Sequence, residues 1–257
     1  MYAIRRLVRD WPLACFLPLA FALSWYPWLI ALVQGRSSGP NPLGPFAAAL
    51  LVLAIGNGWS AVKALFAAML RARVGAHWFA LALGLPVVVV ALVVVVNVAF
   101  GAPWPRADQL ARWPGMLDTF LVALLFVALG EEPGWRGFLL PRLQQRFAPL
   151  MADLVLGAIW ALWHLPLLGH AVPSQHVAPF LIAVFAATPV LSRLCNGARG
   201  SVLLPMLMHA TVNATGAGFA FGFYQGDDLT RTWWIYAALW TVAAVLVLIA
   251  TRPRRGR

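Results

Sequence analysis

Apolar residues fall in eight long stretches, at roughly 11–33, 46–70, 78–100, 116–140, 153–172, 177–195, 200–222 and 232–250, with Arg, Pro and Gly gathered between them. Each stretch approaches the ~20 residues a helix needs to cross the hydrocarbon core of a bilayer. The gaps are short, as in a compact bundle. The pattern therefore predicts an all-α fold, a polytopic membrane bundle of about eight transmembrane helices, forming a single domain over 1–257. The Val-rich run 87–96 reads as lipid-facing or packed helix, and Asn97 behind it as a helix–helix hydrogen-bonding residue.

Composition agrees: 62% of the 257 residues are hydrophobic and 11% are charged, and the mean hydropathy is +0.80. That excludes a water-soluble domain and a disordered chain, which carry far more charge. The formal charge of +11 would point to nucleic acid in a soluble protein. Here it points to the lipid bilayer, with basic loops against anionic headgroups and no nucleic-acid partner. Starting the chain inside and alternating eight times puts Arg5, Arg6, Arg9, Arg71, Arg73, Arg142, Arg146, Arg193, Arg199, Arg252, Arg254, Arg255 and Arg257 on the cytoplasmic side. Only Arg36, Arg106, Arg112 and Arg231 fall outside. Thirteen against four predicts a multi-pass protein of the cytoplasmic membrane with both termini in the cytoplasm. The run from Trp11 to Val33 is too long for a cleavable signal peptide. Cys15 and Cys195 suggest neither a disulfide framework nor a metal site.

Against this background a few polar residues stand out. The only two glutamates are adjacent, Glu131 and Glu132, in ALGEEPGWRGFLLPRLQ inside the fourth apolar stretch. An ionisable group at membrane depth costs at least ~2.5 kcal/mol on insertion scales. Glu132 and Arg136 are spaced i, i+4 for an ion pair, which leaves Glu131 unexplained and free to face a wet cavity. Pro133 and Gly134 predict a kink where the carboxylates project. The fifth stretch, DLVLGAIWALWHLPLLG, carries Trp160 and His164 at i, i+4, with Asp153 suited to a helix start. The seventh, SVLLPMLMHATVNATGAG, carries His209 and Asn213 at the same spacing. Taken singly, each is explained by packing or interhelical hydrogen bonding. Counted from Asp153, Ser201 and the inner end of the fourth stretch, Glu131, His164 and His209 lie roughly 12–17 Å deep, at one level. His77, His170 and His176 fall in loops or at outer ends and read as solvated; Asp227 and Asp228 read as solubilising.

A carboxylate and an imidazole across a wet cavity make a general base and acid for water. A second His with an Asn amide makes an oxyanion site. There is no HExxH, and no Ser or Cys stands near the histidines as a nucleophile. Glu and two His are also a chemically reasonable set for a divalent metal such as zinc, so metal involvement is left open.

The series Glu131-Glu132-x-x-x-Arg136-Gly137-Phe138-Leu139, a tryptophan four before His164, and His209-x-x-x-Asn213 resembles the CPBP intramembrane proteases, also labelled Abi proteins, relatives of the type II CAAX prenyl endopeptidase. The likeness covers about 116–215, with Trp160 where the family commonly has Phe. It implies that Glu131 and His164 activate a water, that His209 and Asn213 hold the oxyanion, and that Glu132 and Arg136 orient the site. It implies an endopeptidase acting near the cytoplasmic side on a peptide or membrane-protein substrate, lipidated or not. Although the family was named for metalloproteases, the preferred reading is a glutamate-type mechanism that requires no cofactor, with a divalent metal such as zinc the alternative. Two other readings stay open: a non-catalytic bacteriocin-immunity or scaffold protein, and a proton-coupled transporter using Glu131 and Glu132 as a relay. Product analysis separates the first from both, and proton-driven flux identifies the last.

Overall fold

A computed structural model describes residues 2–250. Arg252, Arg254, Arg255 and Arg257 of the charge count lie outside the described residues. The helices are α1 (Tyr2–Asp10), α2 (Pro12–Val33), α3 (Gly44–Gly56), α4 (Trp59–Met69), α5 (Ala76–Ala99), α6 (Ala107–Leu110), α7 (115–144), α8 (Pro149–Trp163), α9 (Val177–Gly197), α10 (Leu203–Thr215) and α11 (Gly226–Ala250). Every apolar stretch is helical, and the chain is a multi-pass helical membrane protein. Five segments are single helices long and apolar enough to cross: Pro12–Val33, Ala76–Ala99, Pro149–Leu167, Ser174–Gly197 and Gly226–Ala250.

The other three stretches depart from the expected form. The second is broken into α3 and α4 at Asn57–Gly58, where Gly58 takes φ 81°, a left-handed conformation that costs glycine little. The fourth, α7, is continuous but passes through two π-helical turns, Ala123–Ala128 and Pro133–Leu139, on either side of Glu131–Glu132. The expected kink takes this form because Pro133 has no N–H to donate and the wider turn absorbs the missing bond. The seventh, α10, runs only from Leu203 to Thr215 and is therefore about 20 Å long. The short helices α1 and α6 were not anticipated.

The two ends of the bundle are tied by separate polar contacts. At one end the Val202 amide donates to the Ala68 carbonyl at 3.0 Å and Ser201 Oγ to the Arg71 carbonyl at 2.7 Å. The Arg71 guanidinium also meets the Arg199 carbonyl there. At the other end Gln109 Nε2 donates to the Phe223 carbonyl at 3.1 Å. Asn97, fully buried on α5, donates to Thr232 Oγ1 on α11 at 2.9 Å, the interhelical role expected for it. Arg231 pairs with Asp228 beside it, so that aspartate has a structural partner. His176 also departs from expectation: it is buried, bonded to Thr230 Oγ1 at 3.1 Å and stacked on Trp233. Asp153 does not begin a helix. It lies inside α8, is 2% exposed and pairs with Arg193 of α9 at 3.2 Å.

Within the bundle α10 packs against α5 and α7, α9 against α8 and α11, and α3 against the middle of α7. On α5 the Val run divides between two faces: Val89, Val90 and Val93 are buried, while Val87, Val88 and Val95 are exposed in the lipid-facing manner. Beside the glutamates, Gly130 and Gly134 of α7 allow a close approach. A Cβ on Gly130 would lie 2.3 Å from the Pro42 carbonyl oxygen, and one on Gly134 2.5 Å from Pro45 Cβ. Pro42 of the loop before α3 and Pro45 in the first turn of α3 thus press on α7 on either side of the glutamates.

Candidate active site

The π-helical turns aim the two carboxylates at different neighbours. Glu132 is fully buried and turns to α10. Its Oε1 accepts from Arg136 Nη1 at 3.0 Å, one turn on, and from His209 Nδ1 at 2.8 Å. The i, i+4 ion pair read from the sequence is therefore present, but it is one side of a three-residue cluster. Glu131 turns to α8, where Trp160 Nε1 donates to its Oε2 at 2.7 Å.

α8 ends at Trp163, because Pro166 follows closely and disfavours further helix. His164 is the cap residue. Its Nδ1 lies 2.7 Å from the Trp160 carbonyl. A carbonyl only accepts, so Nδ1 carries the proton and neutral His164 presents a bare Nε2. The same reasoning protonates His209 at Nδ1, facing Glu132, and leaves its Nε2 for another partner. Asn213 Nδ2 donates to the His209 carbonyl at 3.2 Å, one turn back on α10.

Trp160 stands among these groups. The Arg136 guanidinium lies 4.3 Å from its ring centroid, a cation–π contact. The His164 and His209 rings meet it edge-on at 5.4 and 5.6 Å. A cavity of about 120 Å³ opens beside it. Trp160, His164, His209, Asn213 and Tyr236 are among its polar lining, Phe180 and Met208 among its apolar lining. The lining therefore offers two imidazoles, an amide and the Tyr236 phenol among largely apolar and aromatic side chains.

The six sequence-derived residues thus converge, with two differences. Glu131 does not face the cavity directly: it is 2% exposed and absent from the lining, as is Glu132. The shared level also has another origin. α8 begins at Pro149 and α10 at Leu203, so His164 lies fifteen residues along its helix and His209 six along its own. They meet because α10 starts deep, with Val202 beside Gly137 of α7. Two contacts were missed. The indole–Glu131 bond needed the rotation of α8 relative to α7, and the Glu132–His209 bond joins residues 77 apart, with no local signal for either. Among the described residues, no three His, Cys, Asp or Glu side chains are grouped to hold a metal ion. Glu131 Oε2, His164 Nδ1 and His209 Nδ1 are each committed to a neighbour. Nε2 of each histidine and Oε1 of Glu131 are left for other partners.

The family model for Rce1-like type II CAAX prenyl endopeptidases matches residues 113–215, from the start of α7 to the end of α10. A CAAX prenyl protease 2 from Methanococcus maripaludis is 27% identical over 137 residues, which cover 50% of this chain and 48% of that protein. The chain thus spans about half the length of the curated relative it matches. The matched region carries both glutamates, His164, His209 and Asn213 in a helical membrane setting, and over this region the chain is similar to the Rce1-like type II CAAX prenyl endopeptidases.

Proposed function

We propose that this protein is an intramembrane endopeptidase that hydrolyses a peptide bond through a water activated by Glu131 and His164. The observation that carries this reading is the pairing through Trp160. One residue bonds the Glu131 carboxylate through its indole and the His164 ring through its carbonyl, at a cavity walled by His209 and Asn213. Water at the cavity edge gives a proton to Glu131 while its oxygen attacks the carbonyl carbon, with Nε2 of His164 orienting it. The oxyanion that forms is met by a protonated Nε2 of His209 and the Asn213 amide. The added charge on His209 is balanced by Glu132, which Arg136 holds in place. The intermediate collapses as the C–N bond breaks and the proton taken by Glu131 passes to the leaving amine. The cavity's apolar lining supports a substrate segment delivered from the membrane, a peptide or membrane protein, lipidated or not. The likeness to a CAAX prenyl protease makes a lipidated C-terminal tail the first substrate class to try. No step is routed through a metal.

The test compares membrane-fraction peptide termini from cells carrying the wild-type protein and Glu131→Gln. The peptides found are then assayed with purified protein in proteoliposomes. Gln preserves the shape and still accepts the Trp160 N–H but takes no proton from water, so turnover should fall by about 100-fold or more with thermal unfolding unchanged. No wild-type-dependent termini, or substantial turnover by Glu131→Gln, would overturn the reading.

A further inference from the structure

The Trp160 side chain makes three contacts that packing alone does not require. Its N–H reaches a carboxylate oxygen, its face carries a guanidinium, and its edges meet both imidazoles. It is also on the cavity wall while Glu131 is not. We infer that Trp160 is a positioning residue for hydrolysis, whose indole N–H fixes Oε2 of Glu131 so that the other oxygen, Oε1, is presented to the water. This rests on the proposed role of Glu131 and deepens it.

The argument is geometric. A glutamate side chain has several rotamers, and a carboxylate has two equivalent oxygens. A water held by His164 can be deprotonated by only one of them. A 2.7 Å bond from a rigid, buried indole (4% exposed) to Oε2 removes that freedom. The indole is anchored by the Arg136 guanidinium over its ring, and Arg136 is tied to Glu132. The Trp160 carbonyl sets the His164 ring at the same time. The base and the histidine are therefore placed by one residue, and a shift of its side chain moves one relative to the other. A hydrogen bond to a charged group and the loss of a near-attack geometry each decide rates by orders of magnitude.

Two replacements isolate the N–H. Trp160→Phe keeps an aromatic ring and the main-chain carbonyl. 3-Benzothienylalanine at position 160 keeps the indole shape and replaces N–H by sulfur. Both are assayed as full-length protein in proteoliposomes on the peptide used above, with thermal unfolding in parallel. We expect kcat to fall by about 10- to 100-fold in both, with KM within about twofold and unfolding of the benzothienyl protein close to wild type. A structural role alone would move unfolding in Trp160→Phe and leave kcat of the folded benzothienyl protein unchanged. If Glu131→Gln is inactive while the benzothienyl protein keeps wild-type kcat, the inference falls and the role of Glu131 stands. If Glu131→Gln is active, the proposed function itself falls.

Discussion

Glu132 and His209 meet at 2.8 Å between α7 and α10, and the same carboxylate oxygen holds Arg136 at 3.0 Å. One oxygen therefore joins an ion pair within a helix to an imidazole on another. In Glu132→Gln the buried guanidinium loses its counter-charge, which should cost about 3–5 kcal/mol of stability, seen as a lower unfolding temperature in detergent and lower yield. The double change Glu132→Gln, Arg136→Gln removes the orphaned charge and should recover most of that loss. It should not restore turnover, because His209 still lacks a carboxylate to balance a second proton. Equal unfolding temperatures for Glu131→Gln and Glu132→Gln would sink this division between the two glutamates, as would full turnover in the double variant.

Gly130 and Gly134 set the distance between α7 and the start of α3 with the loop before it. Their missing Cβ atoms would meet the Pro42 carbonyl at 2.3 Å and Pro45 Cβ at 2.5 Å, and neither neighbour is the end of a flexible side chain. Gly130→Ala should destabilise by about 1–3 kcal/mol or more and reduce turnover by shifting Glu131 next door. Gly84→Ala, with nothing within 4 Å of the added methyl, is the control: helix propensity alone should make it neutral or stabilising by up to ~1 kcal/mol. The measurement is thermal unfolding of both beside wild type; indistinguishable curves for Gly130→Ala and wild type would count against the close approach.

The helical membrane bundle follows from apolar length, which is a local property, and the sequence shows it clearly. Residue types alone also pick out Glu131, Glu132 and His164, because ionisable groups at membrane depth have no cheap packing explanation. What escaped was relational. The break at Gly58 in a stretch that reads as one helix depends on where α4 lies against α7. The burial of Asp153 and His176, read as a helix start and a solvated residue, depends on Arg193 and Thr230 arriving from other helices. Trp160 was noted only as an aromatic one turn before His164, since its partner Glu131 is on another helix. Helical periodicity gives the face of each helix but not which faces meet.

Metal dependence has a direct test. In the proposed reaction Glu131 and His164 activate the water themselves, and Nε2 of His209 meets the oxyanion, so no step calls for an ion. Turnover should therefore survive prolonged treatment with a strong chelator followed by dialysis, within about twofold, since a lost catalytic metal removes several kcal/mol of barrier lowering. Turnover abolished by the chelator and restored by stoichiometric zinc would reverse this expectation.

Orientation is the last prediction. Arg71 and Arg199 are in contact, and the loops bearing them are joined at one end of the bundle through Ser201, Val202 and Ala68. Arg106 and Arg112 flank Gln109, whose bond to Phe223 ties the opposite end, where Arg231 also lies beside Asn97. The basic excess at the first end is proposed to face the cytoplasm, against anionic lipid, at about 1 kcal/mol per Arg near the surface. In a protein with Cys15 and Cys195 replaced, a cysteine at Gln175, which is exposed, should react with an impermeant maleimide on intact cells. A cysteine at Arg73, also exposed, or at Gly256 should react only after permeabilisation. The reverse pattern at all three would invert the protein in the membrane. The chemistry around Trp160 would be the same in either orientation.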